Sequence, residues 1–329
     1  MSSKLCCGLG VALVCFAMAP PLSAEEDTAW VGERVMVVRP NVKLRIGRKV
    51  VAAVPLSTVF EVAKVNGPWL AGAGSPGWVQ KTDVVLAAKA VAYFTAAIER
   101  RATSEAYHRR GIARAALGDF SQAVADFDAA ISRNANNVAA TNDRGNAYRK
   151  LGEFDKALAD FDSIIERNVR HPAVYTNRGL VWHDRGDYDR ALADYNRALR
   201  IDARFAPAWE AGGTAREAQG NDRKAMENYR RTAKIDPKFA RAHNNLAWLL
   251  ATSSEDDLRA GPEAVKHATK ACELTRFQNA DFLDTLAASL AQAGRLAEAA
   301  ARAREAMELA DEDHKAEIAE RLKQYEAGQ

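Results

Sequence analysis

The chain has 329 residues, of which 46 are lysine or arginine and 43 are aspartate or glutamate, so its formal net charge at pH 7 is only +3. This near balance creates no long-range field of one sign, which disfavours a nucleic acid or an anionic membrane surface as the partner. The length is sufficient for more than one domain. We therefore predict a protein of several domains with no nucleic-acid partner.

The beginning of the chain has the order of a secretory signal peptide, which we assign to residues 1–24. Lys4 precedes an apolar core from Leu5 to Ala19, and the small residues Ser23 and Ala24 precede the polar sequence EEDT. We expect cleavage after Ala24 and export to the periplasm or cell envelope. The alternative is a leader that is retained as an anchor. No later segment has the ~20 apolar residues of a membrane span, so we expect none after the signal is removed.

The cysteines are concentrated in this predicted leader. Cys6, Cys7 and Cys15 all lie within it, and Cys272 is the only cysteine outside it. A single thiol permits neither an internal disulfide nor a cysteine metal site. We therefore expect packing alone to stabilise the mature chain.

The residue pattern of 25–87 is typical of β-strands. Short runs rich in valine and aromatic residues are separated by turn signals around Pro40, Gly67 and Gly74. About five strands in so short a stretch predict a small barrel, because closing the sheet removes its exposed edges. The sequence VNGPWLAGAGSPGWVQKTDVV resembles the end of bacterial SH3-like domains. Four aromatic residues of this region have two alternative roles: Trp30, Phe60, Trp69 and Trp78. Core packing is the expected role for most of them, and the alternative is that they line a binding groove.

From Ala88 onward the chain is rich in alanine and repeats with a period of 34 residues. Four independent columns keep this step, and their members are Gly111, Gly145, Gly179 and Gly213; Gly118, Gly152, Gly186 and Gly220; Ala123, Ala157, Ala191 and Ala225; and Phe127, Phe161, Tyr195 and Tyr229. Small residues of the first and third columns permit close contact of two antiparallel helices. The second glycine ends the first helix, where a left-handed residue is needed. The columns predict stacked helical hairpins.

This pattern resembles the tetratricopeptide repeat, and the resemblance covers residues 104–310. It implies a mostly α-helical fold, an α-solenoid of about six hairpins with a capping helix, which follows the small all-β barrel. We expect a bridging helix at 88–103 and a charged capping helix at 311–329. The predicted hairpins are 104–137, 138–171, 172–205, 206–239, 240–279 with extra turn residues at Ser253 to Arg259, and 280–310.

One arginine of each early repeat occupies an otherwise apolar face. Arg110, Arg144 and Arg178 precede the first repeat glycine, and the residue before the aromatic column is Asp126, Asp160 and Asp194 in the same three repeats. In the fourth repeat both change together, to Gly212 and Asn228. We predict an internal Arg–Asp ion pair in each of the first three hairpins, because a lone buried charge would be costly. The alternative is an arginine that binds a ligand.

The resemblance to tetratricopeptide arrays also implies a concave groove that holds a peptide. Positions 2, 5, 9 and 12 of each first helix line it, and asparagine suits a peptide backbone because it both donates and accepts hydrogen bonds. His108 and Ile112 stand where the chaperone-type carboxylate clamp requires lysine and asparagine, so we do not expect that specificity. The predicted groove residues are His108, Asn142, Asn146, Arg149, Thr176, His183, Glu210, Asn244 and Trp248.

No arrangement of side chains in the sequence is typical of catalysis. His183 and Asp184 are neighbours on a predicted helix, so their side chains should diverge by about 100° and not form a catalytic pair. The other histidines are scattered without metal-ligand spacing, and there is no phosphate-binding loop or nucleophile elbow. We predict no enzymatic activity, no metal and no cofactor.

These observations predict an exported, non-enzymatic scaffold that binds a protein or peptide in the concave groove. A second hypothesis is that the SH3-like domain binds the cell wall and the repeats recruit a partner enzyme. A third is an enzyme with a site that the sequence does not show. Repeats present a continuous curved surface and carry no reactive group of their own, which favours the scaffold.

Overall fold

A computed structural model describes residues 34–37, 42–46, 49–54, 58–66, 69–72, 77–81, 84–167 and 170–328. The predicted signal peptide, Trp30 and the turns predicted around Pro40, Gly67 and Gly74 lie outside these residues. Among the described residues, no helix combines the length and the apolar composition that crossing a membrane requires.

The first part of the described chain is a β region of seven short strands. They are β1 (Arg34–Val37), β2 (Val42–Ile46), β3 (Lys49–Val54), β4 (Val59–Asn66), β5 (Trp69–Gly72), β6 (Val79–Gln80) and β7 (Val84–Leu86). Five of them form an antiparallel sheet in the order β6-β5-β4-β1-β7, and β2 and β3 form a hairpin. An isolated bridge between Arg45 and Trp78 joins the hairpin to the residue just before β6. The SH3-like barrel stays a prediction.

Strand β1 is buried on both of its faces. Val35 and Val37 pack with other strand residues, including Val62 and Leu70, in the core of the β region. Met36 points the other way and packs with Phe94 and Ala113 of the helical part. Successive side chains of a strand point to opposite faces, so the unbroken apolar run Val35–Val37 matches a strand between two layers.

Fourteen helices follow among the described residues. The helix α1 (Ala87–Arg100) connects the β region to six hairpins, and α14 (Glu312–Glu326) covers the last one. The hairpins are α2 (Ser104–Ala116) with α3 (Phe120–Arg133), α4 (Val138–Lys150) with α5 (Phe154–Glu166), α6 (Pro172–Asp184) with α7 (Tyr188–Ile201), α8 (Ala206–Ala218) with α9 (Asp222–Ile235), α10 (Ala240–Thr252) with α11 (Gly261–Leu274), and α12 (Ala280–Gln292) with α13 (Leu296–Leu309).

The third hairpin illustrates how the repeat residues build each unit. A Cβ atom at Gly179 would lie 2.5 Å from Cε1 of Tyr195, so only glycine lets the aromatic ring lie against α6. Gly186 has a φ of +78°, the left-handed conformation that ends α6 and that glycine adopts without strain. Ala191 and Tyr195 are both buried at this contact. The small and aromatic columns are therefore packing positions.

The fifth and last units depart from the regular repeat. The extra residues predicted at Ser253 to Arg259 include a short 3-10 turn at Asp256–Leu258. Leu258 of this turn packs into the core that the fourth and fifth hairpins share. The helix α14 covers the final hairpin with Ile318 and Tyr325, which join the core of α12 and α13. An ion pair of 2.7 Å between Arg321 and Asp284 ties α14 to α12.

Candidate functional site

The arginines of the first three hairpins form ion pairs with the aspartates of the same hairpin. Nη2 of Arg144 lies 2.5 Å from Oδ1 of Asp160, and its Nε donates to Oδ2 at 2.9 Å. Arg178 and Asp194 repeat this two-point geometry with distances of 2.6 and 2.8 Å. The pair Arg110–Asp126 has the same form. These arginines are therefore part of the contacts that hold each hairpin together.

Each of these arginines also contacts the preceding unit. Nη1 of Arg144 donates to Asp128 at 2.6 Å, and Nη1 of Arg178 donates to Asp162 at 2.6 Å. The hydrogen bond of each arginine to its buried aspartate is the main cause that raises the pKa of Arg144 and of Arg178. The contacts with Asp128 and Asp162 were not predicted, although these two residues lie 34 positions apart, as the repeat requires.

In the fourth hairpin, an amide takes the place of the buried carboxylate, and the arginine that contacts it, Arg216, comes from a different position of the repeat. Nδ2 of Asn228 donates to the carbonyl of Trp209, and Nη1 of Arg216 donates to Oδ1 of Asn228 at 2.5 Å. A Cβ at Gly212 would lie 2.7 Å from Nδ2 of Asn228. The replacement of arginine by Gly212 and of aspartate by Asn228 therefore changes how this hairpin packs.

Several predicted groove residues are used to connect one first helix to the next. His108 contacts Asp143 at 2.8 Å, Asn142 accepts from Asn177 at 3.0 Å, and Arg149 donates to Asp184 at 2.7 Å, each across 35 residues. Nε of Arg241 lies 2.7 Å from Oε1 of Glu210. The side chains of His108 and Glu210 are buried. These residues stabilise the stacking of neighbouring hairpins, and their partners were not predicted.

Thr176 does not reach a groove. Its side chain is buried with 4 % of its surface exposed, and its hydroxyl donates to the carbonyl of Pro172 at 3.0 Å. The hydroxyl is therefore hydrogen-bonded to a carbonyl of its own helix, as threonine hydroxyls inside helices often are. A direct contact of Thr176 with a ligand is therefore not supported by its position.

His183 and Asp184 lie closer together than their positions on the helix predict. Nδ1 of His183 is 3.7 Å from Oδ1 of Asp184, which corrects the expectation that the two side chains diverge, although the distance is too long for a hydrogen bond. Asp184 is held by Arg149 instead, and the ring of His183 lies 5.2 Å from that of Tyr188. Buried Nε2 of His183 has no hydrogen-bond partner among the described residues. The pair lacks the orientation of a catalytic dyad.

A concave site lies where the β region meets the first two hairpins. This junction cavity has a volume of about 500 Å³, and its walls come from β1, β4, α2, α3 and α4. The apolar part includes Val59, Phe60, Ile112, Phe120 and Phe127, and the polar part includes Asp143, Asn146, Arg149 and Lys150. Nη1 of Arg34 donates to the carbonyl of Ala116 at 2.6 Å, which fixes one edge of the cavity.

The junction cavity brings together only some of the predicted residues. Asn146 and Arg149 line it together with Phe60 of the β region. Trp248 lies at a separate cavity of about 220 Å³ near α14, with the guanidinium of Arg321 5.9 Å from its ring. Asn244 lies in the same α10, and its buried Oδ1 has no partner in the described part of the chain. Of the predicted groove residues, Asn146 and Arg149 thus line the junction cavity and Trp248 lines a separate one, and the continuous groove stays a prediction.

The described residues contain no group of three His, Cys, Asp or Glu side chains that could hold a metal ion. Cys272 is buried, and burial raises the pKa of its thiol to about 12. Its Sγ donates to the carbonyl of Phe282 at 3.2 Å. Because the thiolate is the reactive form, this cysteine has a structural role.

Comparison with known proteins identifies the repeats. The sequence model of the tetratricopeptide repeat family matches residues 108–165 and 142–204, which confirms tetratricopeptide repeats in this part of the chain. Proteins of this class are scaffolds for protein interactions. No curated protein matches the chain.

Solved structures share the helical architecture. The crystal structure of the APC/C hetero-tetramer Cut9–Hcn1 is 13 % identical, with a TM-score of 0.60 over 72 % of this chain and 46 % of that one. A tetratricopeptide repeat protein from Parabacteroides merdae is 18 % identical, with a TM-score of 0.48 over 73 % of this chain and 92 % of that one. MamA is 24 % identical, with a TM-score of 0.42 over 51 % of this chain and 95 % of that one. At an identity of 13 %, the similarity to Cut9–Hcn1 supports the fold of this chain and says nothing about its function.

Proposed function

We propose that the protein is a non-enzymatic scaffold that binds a segment of a partner protein in the junction cavity. The observation that carries this proposal is the cavity itself, which is about 500 Å³ in volume and combines an apolar floor with a polar rim. Such a combination is typical of binding sites, because apolar burial supplies affinity and a few polar groups fix orientation. An apolar side chain of the partner occupies the floor beside Phe60 and Ile112.

The rim is suited to the backbone of a bound peptide. Asn146 offers a donor and an acceptor, and Arg149 keeps a buried Nε without a partner among the described residues while its Nη1 holds Asp184. Other predicted groove residues, such as His108 and Glu210, are already engaged with neighbouring helices. The binding site is therefore the junction and not the whole length of the array.

The test uses peptides selected for binding to the full chain. The substitution Asn146→Trp fills the cavity, and we expect it to weaken the selected peptides at least tenfold in a fluorescence polarisation titration. Thr214→Trp is the matched control, because Thr214 occupies the equivalent position two hairpins later and does not line the cavity. Equal affinities for the two variants, with unchanged circular dichroism, would place the binding site elsewhere.

A second candidate function rests on another cavity in the β region. Arg45, Asn66, Trp69 and Trp78 line about 220 Å³, and two tryptophans beside polar groups are a common arrangement for binding a sugar polymer. In this alternative, the β region binds the cell wall and the repeats recruit a partner enzyme. Sedimentation with purified sacculi tests it: Trp78→Ala abolishes retention if the alternative holds, whereas Asn146→Trp leaves it unchanged.

Export to the periplasm or cell envelope is part of this proposed function, and the signal peptide predicted at residues 1–24 supports it. N-terminal sequencing of the protein purified from its native cell should begin at Glu25. A start at Met1 or Ser2 would contradict cleavage.

A further inference from the structure

A second, basic cavity lies between the second and third hairpins. It has a volume of about 310 Å³, and none of its lining residues belongs to the junction cavity. The end of α5, the start of α6 and the end of α7 meet there. The lining residues are Ile165, Arg170, Tyr175, Arg197, Arg200 and Ile201.

The three arginines of this cavity have no acidic partner among the described residues. Within the described part of the chain, Arg170, Arg197 and Arg200 form no hydrogen bond or ion pair through their guanidinium groups, and all three are exposed. The guanidinium of Arg197 lies 6.0 Å from the ring of Tyr175. The neighbouring Arg178, in contrast, contacts both Asp162 and Asp194.

The described residues that line the cavity include no acidic side chain. Asp162 and Asp194 are committed to Arg178, and Oδ1 of Asp202 accepts the backbone N–H of Arg204 at 2.8 Å. Three like charges around one space repel one another, and an anion that enters relieves this repulsion. A helix C-terminus also attracts cations, which accounts for Arg200 in the last turn of α7 but not for Arg170, which precedes α6.

We infer that this cavity binds a phosphate group. The guanidinium fork matches phosphate and carboxylate oxygens in pairs, but a single carboxylate leaves two of the three charges unpaired. A phosphate monoester carries about two negative charges and three strong acceptor oxygens, so each arginine has an oxygen to contact. The ligand is either a free phosphate monoester or a phosphorylated side chain of a partner protein.

The next pair of hairpins repeats the arrangement. Arg204, Arg231 and Lys234 lie 34 residues after the three arginines, and Trp209 takes the place of Tyr175. The guanidinium of Arg231 lies 5.8 Å from the ring of Trp209, as that of Arg197 lies against Tyr175. One repeat earlier, the equivalent positions hold Asn136, Ser163 and Glu166. The basic positions are thus confined to two successive junctions.

The experiment is calorimetric titration of the full chain at fixed ionic strength. The probes are inorganic phosphate, a phosphoserine peptide, and the same peptide with serine or glutamate at that position. We expect phosphate and the phosphopeptide to bind, and the double substitution Arg197→Ser with Arg200→Ser to weaken both at least tenfold. Arg100→Ser with Arg101→Ser removes the same charge from exposed positions outside the cavity and should change nothing.

The arms of the experiment separate the two sources of phosphate. A phosphopeptide that binds much more tightly than inorganic phosphate indicates a phosphorylated partner, and similar affinities indicate a small phosphate monoester. Arg197→Lys keeps the charge without the fork, and we expect it to weaken phosphate binding threefold or more while the circular dichroism stays unchanged. The inference is overturned if neither inorganic phosphate nor the phosphopeptide binds, if the protein with Arg197→Ser and Arg200→Ser binds them as tightly as the wild type does, or if the glutamate peptide binds as tightly as the phosphopeptide.

Discussion

The internal ion pairs show how one residue serves two hairpins. Arg144 contacts Asp160 of its own hairpin and Asp128 of the preceding one, and the two carboxylates differ in exposure. The side chain of Asp160 is 7 % exposed, whereas that of Asp128 is 50 % exposed. Removing one partner of a buried ion pair leaves an uncompensated buried charge. When an exposed carboxylate is removed, water solvates the remaining arginine in its place. The two contacts should therefore differ in their effect on stability.

Asp160→Asn should lower the free energy of unfolding by about 2 to 3 kcal/mol, because the partly buried guanidinium of Arg144 loses its buried charged partner and keeps only the exposed one. Asp128→Asn is the matched control and should cost less than about 1 kcal/mol. Chemical denaturation of both variants, with a double-mutant cycle on Arg144 and Asp160, checks this. A coupling energy near zero between those two residues would show that the pair contributes nothing to stability.

The period explains which residue contacts the sequence could predict. Arg144 and Asp160 lie in one hairpin, whose register is the same in each repeat, so their pairing follows from comparing repeats. The contacts His108–Asp143 and Arg149–Asp184 join neighbouring hairpins, and they depend on the twist between units, which the period does not encode. For this reason, residues expected to face a ligand are found to connect helices.

At the scale of an element, the fifth hairpin contains a titratable contact in its interior. Nδ1 of His243 in α10 lies 2.8 Å from Nδ1 of His267 in α11, and the two rings stack with a centroid distance of 5.1 Å. One ring must be neutral for this hydrogen bond to form. Burial is the main cause that lowers the pKa of both residues, and the pKa of His267 falls to about 4.

The stability of this hairpin should therefore decrease as the pH falls. The unfolded chain binds a proton near the ordinary His pKa of 6.5, but the folded hairpin binds it only near pH 4, so stability present at pH 7 is lost between about pH 6.5 and pH 4. From pH 7 to pH 5, we expect the wild-type protein to lose about 1 to 2 kcal/mol more than His267→Gln in urea denaturation. Parallel pH profiles of the two proteins would contradict the role of this histidine pair.

The helical elements were also easier to predict than the strands. Gly186 and the columns around Tyr195 fix where each helix ends and what it packs against, because the same packing recurs in every repeat. The strands carry no such repetition, and the described part of residues 25–87 holds seven short strands where about five were predicted. The apolar run Val35–Val37 did not show that Met36 faces a helix.

At the scale of the whole molecule, the β region and the repeats share a packed interface. Met36 is fully buried against Phe94 of α1 and Ala113 of α2, and Arg34 donates to the end of α2. The sequence predicted both parts but not this interface, because nothing in the periodicity of the repeats indicates which face of α2 meets a strand. The junction cavity, which no single part forms alone, was missed for the same reason.

Met36→Ala tests whether this interface couples the two parts. The substitution should cost about 2 to 5 kcal/mol in the β region and open a gap beside Phe94, so the amides of both β1 and α1 should exchange hydrogen faster. Leu70→Ala is the matched control, because Leu70 is equally buried but packs only within the β region. It should speed exchange in the strands and leave α1 protected. If α1 exchanges equally in the two variants, the repeats do not depend on the β region, and binding at the junction would require a partner to hold the two parts together.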